Sequence, residues 1–115
     1  MLILLTACSS EVNISDGTTA VLTYIYDDKN INTELTDEES DAIRQMFDGK
    51  DLYSDNPSCG FSENISIRFG NYIYCIANDS CGIIKVGFQY FNISDKDREE
   101  LEKIIKSYGA QFPCV

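Results

Sequence analysis

Apolar positions along this chain switch between a period of two and a period near 3.6. The run at residues 18–26 (TTAVLTYIY) is rich in β-branched and aromatic side chains, and Asp27, Asp28, Lys29 and Asn30 supply turn chemistry before a short segment at 31–35. That pattern predicts a hairpin. Thr36-Asp37-Glu38-Glu39 has the order of a capping box, with the Thr36 hydroxyl placed for the Glu39 amide and the Glu39 carboxylate reaching back to Thr36. A helix is expected from there to about Asp48, stopped by Gly49. Ala42, Ile43, Met46 and Phe47 form one narrow stripe, while Asp37, Glu38 and Asp41 sit near the positive end of the dipole, so this helix should lie on a sheet.

Residues 50–63 carry scattered apolar side chains among Asp51, Asp55, Asn56, Pro57 and Gly60, and read as a long loop. Ile65, Ile67 and Phe69 then alternate with Ser66 and Arg68, and Gly70-Asn71 leads into a second apolar run at 72–76, the clearest hairpin in the sequence. Residues 83–86 and 88–91 are further strand candidates, with Gly87 as a bulge or a turn. Ser94 is placed to cap a last helix. In it Leu101, Ile104, Ile105 and Tyr108 recur at helical spacing, Gly109 provides the stop and Pro113 follows. The order ββ-α-ββββ-α predicts an α+β fold: an antiparallel sheet of about four to six strands with two helices packed on one face. At 115 residues the chain is too short for two separate cores, so residues 18–115 are expected to form a single domain.

The N-terminus carries a different kind of signal. Leu5-Thr6-Ala7-Cys8 places a large apolar residue and two small ones before a cysteine, after the apolar residues 2–5. This resembles the lipobox of bacterial lipoproteins. The resemblance implies cleavage between Ala7 and Cys8, a diacylglycerol on the Cys8 sulfur, and a membrane-anchored location in the bacterial cell envelope, outside the cytoplasm. Residues 1–7 are then the end of the signal. Residues 8–17, polar apart from Val12 and Ile14, read as a tether.

Setting Cys8 aside leaves Cys59, Cys75, Cys81 and Cys114, an even number in a small chain, as expected in an oxidising compartment. Three pairings are possible. Cys75–Cys81 with Cys59–Cys114 is the favoured one, because residues 76–80 form a short polar loop that would bring the first pair together. A four-thiolate zinc site is the rival reading, but the chain has no C-x-x-C pair. Asp48, Asp51 and Asp55 crowd one region without the order of a calcium loop. No metal and no cofactor is therefore expected.

Charge and chemistry narrow the function. Nineteen acidic residues against nine basic ones give a formal net charge of −10, which repels phosphate backbones and makes nucleic acid an unsuitable partner. The same field favours a basic protein partner. There is no histidine, which removes the commonest general base and every triad built on it. No pair among the carboxylates is singled out as a catalytic acid and base, and Arg68 and Lys85 are isolated. The four Asn-x-Ser sequons, at Asn13, Asn64, Asn78 and Asn92, read as turn chemistry. Tyr24, Tyr26, Tyr72, Tyr74 and Tyr90 fall on predicted strands, where covering by the helices accounts for them. The expectation is a monomeric, lipid-anchored binding or inhibitor module without catalytic residues, with a structural envelope lipoprotein as the alternative.

Overall fold

In the computed structural model, which describes residues 10–79 and 81–113, the predicted hairpin forms from β1 (Ala20–Tyr26) and β2 (Lys29–Glu34) around Asp27, at φ 58°. The capping box closes as its residues dictate. The Thr36 hydroxyl accepts from the Glu39 amide at 3.1 Å, the Glu39 carboxylate accepts from the Thr36 amide at 3.1 Å, and α1 (Asp37–Phe47) follows. β3 (Ile65–Phe69), β4 (Tyr72–Ile76), β5 (Ile83–Val86) and β6 (Gln89–Asn92) come next, and α2 (Asp95–Lys106) starts at Ser94, whose hydroxyl accepts from the Asp97 amide at 3.1 Å.

The six strands make one antiparallel sheet in the order β2-β1-β3-β4-β5-β6. Both helices pack on the same face. Alternation decides which side chains they cover: Ala20, Leu22 and Tyr24 of β1, Ile65, Ile67 and Phe69 of β3, Tyr74 and Ile76 of β4, and Ile84 of β5 are buried with Ile43 and Phe47 of α1 and Leu101 and Ile105 of α2. Phe47 is the centre of this layer. Its ring lies 5.3 Å from that of Phe91, 5.4 Å from Tyr74 and 6.3 Å from Phe69, and such pairs add roughly 0.5–1.5 kcal/mol each beyond the area they bury.

Two details differ from the sequence reading. Gly87 makes a turn at φ 61°, so β6 begins at Gln89, one residue later than expected, and Phe88 falls on the turn instead of in a strand. The polar stretch at 8–17 is not a free tether over the residues described. Val12 and Ile14 are buried in the core, and residues 10–12 exchange backbone hydrogen bonds with 49–52: Gly49 N–H to Val12 O at 2.8 Å, Val12 N–H to Lys50 O at 2.9 Å, and Leu52 N–H to Ser10 O at 3.0 Å. The Asp48 carboxylate accepts from the Ile14 amide at 2.8 Å. Two apolar residues alternating with exposed Glu11 and Asn13 are enough to hold a strand-like segment once a neighbour offers a ladder.

The far margin of the sheet is covered in the same way. Tyr53 exchanges both backbone hydrogen bonds with Tyr90, at 2.8 and 2.9 Å, so the long loop that starts near residue 50 runs along β6. At the opposite margin β2 ends the sheet with a mostly exposed polar sequence, KNINTE, which suits an unpaired edge.

Candidate functional site

The register puts the β3–β4 and β5–β6 turns at one end of the sheet and the β1–β2 turn at the other, with the 77–82 connection between β4 and β5. Chemistry collects at both ends.

At the second end the expected disulfide pairing is corrected. Cys81 bonds to Cys59, with a Cα–Cα distance of 6.7 Å, and Cys75 is a buried free thiol. Cys75 lies inside β4, opposite Ser66 on one side and Lys85 on the other, so the ladder fixes its side chain on the face away from the helices. Cys81 belongs to the connection beyond the strand end. There the Asn78 amide donates to Gly60 O at 2.9 Å and brings the 59–61 segment alongside. Cys114 and Cys8 lie outside the described residues. Burial is the main cause that pushes the Cys75 thiol up from its usual pKa, reinforced by Glu63 and opposed by Lys85.

Arg98 organises the same end. Its guanidinium is buried and donates to three main-chain oxygens: Cys81 O at 3.0 Å, Ala77 O at 3.0 Å and Asp79 O at 2.5 Å. Its Nε donates to Glu102 at 2.7 Å, and the guanidinium carbon sits 5.0 Å from the centre of the Phe112 ring. One charged side chain thus satisfies carbonyls that water would otherwise have to reach.

Among the described residues, the group of His, Cys or acidic side chains close enough to share an ion is Cys59, Asp79 and Cys81, with ligand atoms within 4.8 Å of one another. Both sulfurs are engaged with each other as a disulfide, and the Asp79 carboxylate accepts from the Cys81 amide at 3.0 Å. Disulfide sulfurs are not thiolates, so this arrangement holds the loop and offers no thiolate to an ion. Of the aspartates in this region, Asp48 accepts from the Ile14 amide through its carboxylate, while Asp51 meets Glu11 through the backbone.

The first end has an open groove of about 360 Å³ between the N-terminal segment and the two hairpin turns, with Val12, Leu52, Tyr72, Tyr74, Val86 and Phe88 among its walls. Its floor and its rim differ. Burial pushes the Tyr74 hydroxyl on its floor up to about 12, so that phenol keeps its proton. On the rim Tyr72 is 62% exposed and Phe88 is 92% exposed. A concavity of about 420 Å³ at the start of α1 is lined by Asp37, Glu38 and Asp41, carboxylates that favour the positive end of that helix.

The tyrosines therefore divide. Tyr24 and Tyr74 are core residues, as helix cover predicts. Tyr90 is buried under the long loop, its hydroxyl 3.0 Å from Asn56 and its ring 5.6 Å from Phe61. Tyr26 and Tyr72 stay outside, against the expectation that the helices cover them. Sequence reasoning missed Arg98, Val12 and Ile14 as structural residues and Phe88 as a projecting one. The available signal for Phe88 was Gly87, whose turn reading places the next residue at a hairpin tip. The chain matches no family model, no curated protein and no solved structure.

Proposed function

We propose that this protein is a lipid-anchored domain of the bacterial cell envelope, held through Cys8, that works by binding another protein and carries out no catalysis of its own. The reading is supported by the conjunction of residues 5–8, which resemble a lipobox, with a Cys59–Cys81 disulfide, since both are typical of compartments outside the cytoplasm. The net charge of −10 supports a basic partner surface, through steering as well as contact. Exposed acids on α2, among them Asp95, Glu99 and Glu100, are the natural contact points.

The experiment is intact mass of the protein made in a bacterial host from its full upstream reading frame, before and after reduction and alkylation. A chain beginning at Cys8, carrying a diacylglycerol and losing its Cys59–Cys81 bridge only on reduction, supports the reading. An unprocessed chain with free thiols at Cys59 and Cys81 overturns it. The partner half is tested on intact cells with a photoreactive residue at Glu99. A discrete adduct whose yield falls as ionic strength rises supports a basic partner, and an adduct indifferent to salt overturns the charge argument.

A further inference from the structure

The point where the chain joins the fold fixes how far an anchored domain can stand from its membrane. Leu52 donates to Ser10 O at 3.0 Å, Glu11 bridges to Asp51, and Val12 is 3% exposed. Only Ser9 separates Cys8 from this fastened segment. Two Cα–Cα steps reach about 7 Å, far short of the stand-off that ten free residues would allow.

That segment borders the groove whose opposite rim carries Tyr72 and Phe88. These are the two most exposed large hydrophobic side chains of the described residues. Phe88 sits on the β5–β6 turn, beyond the Val86–Gln89 pair, where no strand neighbour covers it, and Tyr72 begins β4 just after the Gly70-Asn71 turn. Both project from the end of the sheet by which the chain enters. An apolar ring and a phenol with its hydroxyl in reach of water are the side chains that settle at the boundary between headgroups and hydrocarbon.

We propose that this end of the sheet faces the bilayer, with Phe88 and Tyr72 entering the headgroup region while the lipid on Cys8 holds the domain beside it. The inference rests on lipidation of Cys8, and it adds a bound surface and a fixed orientation to that reading. The lipid supplies a high local concentration, so the two aromatics need only choose which face turns down. Charge decides the kind of surface. Glu11 and Asp51 are exposed beside the groove and the whole chain is acidic, so zwitterionic headgroups suit this face and anionic ones oppose it. The same orientation puts the β1–β2 turn at Asp27 and Asp28 away from the membrane.

The sequence contains no tryptophan, so a single introduced one reports alone. The test uses Phe88→Trp in the chain from Cys8 onward, coupled through Cys8 to a maleimide phospholipid in phosphatidylcholine vesicles, in a Cys75→Ala, Cys114→Ser background that leaves Cys8 as the free thiol. Asp28→Trp at the far turn is the comparison, and Tyr72→Trp is a second variant on the near end. Brominated acyl chains should quench residues 88 and 72 several-fold more than residue 28, and added phosphatidylglycerol should reduce the difference. Equal quenching at both ends overturns the orientation. A blue-shifted Phe88→Trp signal without quenching also overturns it, because the groove would then be covered by a second copy or another protein. The chemical anchor keeps this readout independent of whether cells lipidate Cys8, so failure of the anchor reading shows in the intact mass alone.

Discussion

The two ends of the sheet are closed by different means. At the Cys59–Cys81 end a covalent bond and a buried guanidinium converge on Ala77, Asp79 and Cys81, where Arg98 meets Phe112 and three carbonyls and shares Glu102 with Lys106. At the hairpin end a short segment lies in a ladder of ordinary backbone hydrogen bonds, fastened by Val12, Ile14 and one carboxylate. The first arrangement is costly to disturb and has no slack. The second is made of small terms, and its neighbours Tyr72 and Phe88 are left uncovered. The two most exposed apolar side chains lie at the less braced end, while Ile25 and Tyr26 at the braced end are exposed to a smaller degree, and this bias suits a domain that must keep its shape while one end meets something else.

The largest expected break is Arg98→Met. It leaves three inward carbonyls without their donor and Glu102 with Lys106 alone, and a loss of about 4 kcal/mol should appear as a lower denaturant midpoint at unchanged slope. A change within error would mean that water replaces the guanidinium. Removing the bridge by Cys59→Ser with Cys81→Ser should cost about 3 kcal/mol, from the loop entropy of a separation of 22 residues, measured on the same denaturant curve. At the other end, Ile14→Ala should cost about 2 kcal/mol and speed amide exchange at residues 10–14 while sparing 77–81. Combining it with Arg98→Met tests the independence of the two ends, because separate closures give additive losses and a shared one does not.

The smallest effect lies between the ends, where Tyr108 of the C-terminal segment meets Glu39 of α1. The Tyr108 hydroxyl donates to the Glu39 carboxylate and holds its pKa below the ordinary 4.5, with burial opposing and Thr36 assisting. A lowered folded-state pKa gives stability that is complete above the unfolded value and is lost as the pH falls through the folded one. Tyr108→Phe should therefore raise the Glu39 titration midpoint, followed by NMR, and flatten the dependence of stability on pH below the ordinary value. An unchanged midpoint would show that Thr36 alone sets it.

The secondary structure was legible because each element is long enough to show its period and begins or ends on a residue with one local role, as Thr36, Ser94 and Gly70 do. The closures were not. The apolar run at 72–76 put Cys75 on a strand, but cysteine spacing carries no register, so nothing in the sequence set it opposite Lys85 or brought Cys59 alongside Cys81. Arg98 reads as a solvated charge on a charged helix, since the carbonyls it serves are 17 to 21 residues away. Val12 and Ile14 are two apolar residues in a polar stretch, too few for a period to show. The groove became visible only when the register placed the Gly70 and Gly87 turns on the same end as the entering chain.

Tyr24, in the first strand, donates its hydroxyl to Gln111 O at 2.7 Å and accepts from the Gln111 amide at 3.1 Å, across 87 residues of sequence. The first strand of the sheet is thus completed by residues far downstream of it. A nascent chain still lacking them is without these two hydrogen bonds to that buried phenol, and β1 also waits for β3 before it has a neighbour on its inner side. Such a topology favours folding after synthesis over folding during it, at the slow rate that distant pairings impose. It also makes the segment at Gln111 a checkpoint: a product truncated before it should fail to close its core and present itself for proteolysis.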